Sequence, residues 1–130
     1  LKRKKSGADT PPPPPPLSPE VAFEKELRIL LAERLLEKDD IKTFHLRMSE
    51  IFRRYLGSRF SFYALESTTG ELIGVLRQKT IEGEMIRKVE AFCEMNDPVK
   101  FAKWIPGTEE SERLISIARE IVERTTRKDG

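Results

Sequence analysis

Ile41, Phe44, Met48, Ile51, Phe52, Tyr55 and Leu56 recur at spacings of three and four, while Arg47, Glu50, Arg53 and Arg54 stand off that stripe. A 3.6-residue period stacks such positions along one face, whereas a strand would turn alternate residues outward. The segment predicts a long helix with one apolar face, so the remaining chain must supply an apolar layer to cover it. Gly57 follows the last apolar residue, and a left-handed C-terminal stop is expected there.

The flanking sequence supplies matching helices. Ser18 reads as an N-cap, with Pro19 at the first helical position and Glu20 favourable to the dipole. Phe23, Leu27, Leu30, Leu31 and Leu35 form one face of this helix, and Ile29 and Leu36 form a flank, so cover on two sides is expected. Lys38-Asp39-Asp40 breaks the pattern and caps the long helix.

Residues 60–76 admit two readings. Phe60 to Leu65 and Leu72 to Val75 around Thr69-Gly70 would make a β-hairpin. Alternatively, Thr68 and Glu71 have capping-box spacing and open a short helix after a buried loop, the reading favoured here. A further helix follows Gly83, with Met85, Ile86, Val89, Phe92 and Cys93 inward. Asp97-Pro98 is expected to restart a helical turn, with Phe101 as a core plug, ended by Ile105-Pro106-Gly107. Thr108 is expected to cap a last helix whose apolar face is Leu114, Ile115, Ala118, Ile121 and Val122. The expected fold is all-α, a compact bundle of about five helices.

Ahead of this lies a stretch of different character. Lys2, Arg3, Lys4 and Lys5 against Asp9 leave residues 1–10 at +3, and Pro11 to Pro16 follow as an unbroken run. Such a run adopts polyproline II, a stiff rod of about 3.1 Å per residue, so a spacer is favoured over a proline-recognition motif. The organisation read from the sequence is a disordered basic and polyproline stalk over 1–17, a folded domain over 18–126, and a frayed tail over 127–130. A basic cluster followed by a stiff spacer suits the cytoplasmic flank of a membrane helix, with residues 2–5 against the anionic surface. On that reading an apolar span precedes Leu1.

The remaining 120 residues hold 20 basic and 21 acidic groups. This balance weighs against the alternative of a helical, possibly winged-helix, DNA-binding module, which would carry a basic excess. Catalytic chemistry is equally thin. With one histidine, His45, and one cysteine, Cys93, both on apolar stripes, no metal-ligand spacing arises. The glycines are scattered singly, so no phosphate-cradling loop forms, and no oxyanion-loop motif accompanies a Cys93–His45 pair. The expectation is a non-enzymatic domain without cofactor, metal or small-molecule substrate. Lys100, Lys103 and Trp104, between two helix breaks, are candidate partner contacts, although for Trp104 completing the core is favoured over anchoring a partner. Arg53 and Arg54 are further candidates, although a solvated helix face is the reading favoured for them.

Three ordered motifs carry a resemblance. They are Met48 to Leu56 followed by Arg59-Phe60, Ala64 to Thr69 followed by Glu71-Leu72, and Asp97 followed by Val99 to Lys103. In order and spacing the chain resembles the cytoplasmic domain of bacterial BatD-like (aerotolerance) proteins and related short membrane proteins. Gly70 and Pro98 depart from the pattern. The resemblance implies a single-pass membrane protein whose domain lies on the cytoplasmic face of the membrane. It also implies a protein partner, a MoxR-type AAA ATPase or a von Willebrand A-domain protein, for which the domain would be an adaptor. It supplies no catalytic residues.

Overall fold

The computed structural model describes residues 17–101 and 103–126. Lys2, Arg3, Lys4, Lys5, the proline run and residues 127–130 lie outside that range. The described chain folds into five helices: α1 Pro19–Ala32, α2 Ile41–Phe60, α3 Thr69–Arg77, α4 Gly83–Lys100 and α5 Thr108–Thr125. No strand occurs among the described residues, so the hairpin reading of 60–76 gives way to the loop and helix.

Local chemistry sets the helix starts. Ser18 Oγ accepts the Val21 N–H at 3.3 Å, and Asp40 Oδ1 accepts the Thr43 N–H at 3.4 Å. Thr68 and Glu71 complete a capping box, with bonds of 3.1 Å and 2.9 Å. The cap of α5 differs from expectation. Gly107 is the N-cap and Thr108 the first helical residue, and the Gly107 N–H donates to Glu110 Oε1 at 3.0 Å.

All seven stripe residues of α2 are buried. The helix packs against α1, α4 and α5, and α3 lies on α4. Phe23 meets Tyr55 edge-on at 5.9 Å, and the Phe52 and Phe92 rings lie 4.1 Å apart. Such aromatic pairs add about 0.5–1.5 kcal/mol beyond the area they bury. Residue pairing fixes directions. His45 meets Asn96 while Phe52 meets Phe92, so α4 runs antiparallel to α2. Glu33 pairs with Arg47 and Glu26 with Arg54, so α1 is antiparallel to α2 as well. The end of α1, the start of α2, the end of α4 and the start of α5 therefore meet at one end of the bundle.

Several local expectations are corrected. α1 stops at Ala32, and left-handed residues at Arg34 (φ 51°) and Asp39 (φ 60°) shape a turn that swings Leu35 and Leu36 onto the core. Ile29 and Leu31 are left exposed, so α1 is covered on one side, not two. Gly57 does not end α2. The helix continues to Phe60, and Ser61 takes the left-handed position (φ 61°). The glycine is needed for space, because a Cβ there would sit 2.6 Å from the Phe62 carbonyl oxygen.

Pro98 does not restart a helix either; α4 runs through it to Lys100. Tertiary packing holds this last turn despite the lost N–H, since Val99 is fully buried and Asn96 is bonded to His45. An unbroken helix puts Phe101 about 200° round from Val99. Val99 becomes the core plug, and Phe101 faces solvent.

The two glycines Gly57 and Gly74 should respond oppositely to alanine. Gly74→Ala has open space for its Cβ and is expected to stabilise by about 0.5–1 kcal/mol, as alanine usually does in a helix. Gly57→Ala is expected to destabilise instead, and Phe52→Ala to cost ~3–5 kcal/mol. Urea unfolding followed by far-UV circular dichroism measures all three; a stabilised Gly57→Ala variant contradicts this account of the α2 end.

Candidate functional site

Of the five candidate contact residues, Arg53 is removed by its own surroundings. Its position at the edge of the α2 stripe carries the guanidinium inward, and the residue is only 7% exposed. It donates to the Ser67 carbonyl at 2.7 Å, the Ala64 carbonyl at 3.3 Å and Thr69 Oγ1 at 3.5 Å. Thr69 in turn donates to Asp97 Oδ2 at 2.8 Å. Arg53 thus satisfies carbonyls of the 61–68 loop that no helix or strand would satisfy. Residues from all three motifs quoted above converge here: Arg53 from the first, Ala64, Ser67 and Thr69 from the second, and Asp97 from the third. The signal was present in the sequence only as a long basic side chain bordering the stripe. Arg54 points outward and pairs with Glu26 at 3.1 Å.

A second buried cluster joins three helices. His45 Nδ1 lies 3.0 Å from Asn96 Oδ1, and Nε2 lies 2.9 Å from Ser111 Oγ. Ser111 Oγ also donates to the Gly107 carbonyl at 2.9 Å. In this orientation Asn96 Nδ2 is buried without an acceptor. Turning the amide over gives a continuous relay. Asn96 Nδ2–H then donates to Nδ1, Nε2–H to Ser111 Oγ, and the Ser111 hydroxyl to Gly107. Burial pushes the histidine pKa down; an Asn96 oxygen at Nδ1 opposes that shift, whereas the turned amide, donating to Nδ1, favours the neutral ring the relay requires. The pattern was legible in part: Asn96 and Ser111 occupy apolar-stripe positions of α4 and α5.

A serine, histidine and asparagine in sequence have the outline of an acyl-transfer relay. Here all three side chains are sealed from solvent, so no substrate meets the hydroxyl in this conformation. Cys93 is also buried, which pushes its thiol pKa up, away from the reactive thiolate. Both ring nitrogens of His45 are engaged elsewhere, so the Cys93–His45 pair considered from sequence does not form. Among the described residues no three His, Cys, Asp or Glu side chains gather as metal ligands, and no helix is long and apolar enough to cross a membrane.

The third feature lies on the surface. Between α4 and α5 the chain exposes Phe101 at 64%, Trp104 at 45% and Ile105 at 56% within five residues. Lys100 and Lys103 flank them and are exposed, and no acidic residue occurs between Pro98 and Thr108. The Lys100 ammonium sits 5.9 Å from the Phe101 ring centre. The segment is fastened by the Lys103 N–H to the Pro98 carbonyl at 2.8 Å. Trp104 is exposed and does not complete the core, which corrects the reading favoured from the sequence. Ile105 and Phe101 are exposed beside it, two apolar side chains that sequence reasoning did not place on the surface. At the same end of the bundle an open cleft runs along Leu30, Leu31, Leu36 and Phe44, with Glu112 of α5 at its rim.

Comparison with protein-family models, curated proteins and solved structures finds no match for this chain.

The two neighbouring arginines of α2 are expected to separate cleanly on substitution. Arg53→Met should cost roughly 1–3 kcal/mol, because the half-buried Ser67 carbonyl loses its 2.7 Å donor and the Ala64 carbonyl keeps only the Ser67 N–H. Arg54→Met removes an exposed ion pair and should cost about 1 kcal/mol or less. Chemical denaturation of both variants provides the check; equal costs would contradict the structural role given to Arg53.

Proposed function

We propose that this domain works by docking a protein partner through the Phe101–Ile105 tip, without chemistry of its own. The observation that carries the reading is the tip itself. Three large apolar side chains stand exposed together, in a chain that buries Phe23, Phe44, Phe52, Tyr55 and Phe92. Soluble domains rarely leave such a patch unless it is used, and tryptophan is among the residues that anchor interfaces. Lys100 and Lys103 would steer an acidic rim of the partner onto it.

The stalk gives this a setting. The basic residues Lys2, Arg3, Lys4 and Lys5 and the proline run suit a tether at the cytoplasmic face of a membrane, in a single-pass protein. α1 starts at Pro19 and, over 14 residues, reaches the end of the bundle that carries the tip, a rise of about 21 Å. A tether entering before Pro19 would leave the tip facing away from the lipid. That favours a protein over the membrane surface as the tip's partner. The resemblance to BatD-like proteins supplies the first candidates, a MoxR-type AAA ATPase and a von Willebrand A-domain protein, with the domain as an adaptor between them and the membrane.

Pull-down and titration of residues 18–126 against both candidates, with and without nucleotide, test the reading. Trp104→Ala is expected to weaken binding by ~2 kcal/mol or more with the melting temperature unchanged. Binding that ignores Trp104, or no binding to either candidate alongside salt-sensitive binding of duplex DNA, overturns it.

A further inference from the structure

The His45 cluster has a position that its hydrogen bonds alone do not convey. Asn96 lies in α4 shortly before the tip begins at Phe101, and Ser111 lies in the first turn of α5 just beyond its end at Gly107. The two residues are the roots of the tip, and one imidazole from a different helix holds both, at 3.0 Å and 2.9 Å. Ser111 also grips the Gly107 carbonyl twice, through its hydroxyl at 2.9 Å and its N–H at 3.1 Å. α4 and α5 pack together, and the segment between them leaves Phe101, Trp104 and Ile105 exposed.

We propose that His45 is the positioning residue of the tip, its bonds to Asn96 and Ser111 forming a clamp that fixes the spacing and direction of the two roots. The inference rests on the docking reading above for its purpose, and on the geometry for its existence. An apolar trio of leucine, alanine and methionine would fill the same volume without leaving a buried polar group. Such replacements of hydrogen-bonded polar groups are often neutral for stability. What an apolar trio lacks is direction, since a bond to each root fixes orientation as well as distance. A rigid tip loses less conformational entropy on docking, which is the gain the clamp provides. No charged group disturbs it. Asp97, beside Asn96, accepts from Thr69, and Glu112, beside Ser111, faces the cleft.

The molecule carries its own probe, because Trp104 is the sole tryptophan and lies inside the tip. The test measures Trp104 fluorescence anisotropy in the whole chain, with no partner present, for His45→Gln, Asn96→Leu and Ser111→Ala. Each is expected to lower the anisotropy by roughly a third as the tip gains nanosecond motion, while far-UV circular dichroism keeps its helical signal. Leu76→Ala, in the core of α3, should lower the melting temperature and leave the anisotropy at its original value. Should His45→Gln fail to fold, Ser111→Ala decides alone, because it cuts one arm and keeps the other. Anisotropy unchanged in the folded clamp variants, or equally reduced by Leu76→Ala, overturns the proposal. A loosened tip with undiminished binding to the docking candidates would retain the clamp and remove the docking reading.

Discussion

The antiparallel seam between α2 and α4 is the contact on which the other features depend. At its centre the Phe52 and Phe92 rings lie 4.1 Å apart, both inaccessible to solvent. Polar bonds lie on either side of that stack. His45 joins Asn96 toward the tip, and Arg53 reaches the 61–68 loop and, through Thr69, Asp97. The aromatic pair supplies cohesion without direction, whereas the polar bonds set which residues of the two helices face each other. α1 and α5 then pack on α2, α3 lies against α4, and the segment between α4 and α5 leaves Phe101, Trp104 and Ile105 exposed.

Much of this architecture was legible because it depends on periodicity and caps. The seven apolar residues of α2, the Ser18 and Asp40 caps and the Thr68–Glu71 box all read directly from spacing, and each holds in the fold. Three of the misreadings share one cause: residues whose local preference is overruled by a neighbour from elsewhere in the chain. Pro98 signals a break, yet Val99 burial and the Asn96 bond carry the helix through it. Gly57 signals a left-handed stop, yet its value lies in the close approach of Phe62. Arg53 reads as a solvated charge because its partners are backbone carbonyls, which leave no mark in a sequence.

The candidate site was half legible for the same reason. Lys100, Lys103 and Trp104 stood out between two breaks, but Trp104 lies past the end of α4 at Lys100, where no helical period sets which way it faces. Once Pro98 leaves the phase of α4 intact, Val99 turns inward and Phe101 turns outward with Trp104 and Ile105. The continuity of α4 therefore adds Phe101 to the exposed patch. The same continuity places Asn96 opposite His45, so the exposed segment and its support arise from one stretch of helix.

Amide hydrogen exchange across residues 18–126, with and without a MoxR-type ATPase or a von Willebrand A-domain protein, tests the central claim most directly. The account predicts that binding slows exchange mainly over residues 98–108, with α1 and α3 unchanged. Protection centred on α1 or α3, or exchange at 98–108 that stays the same while a complex forms, would contradict it.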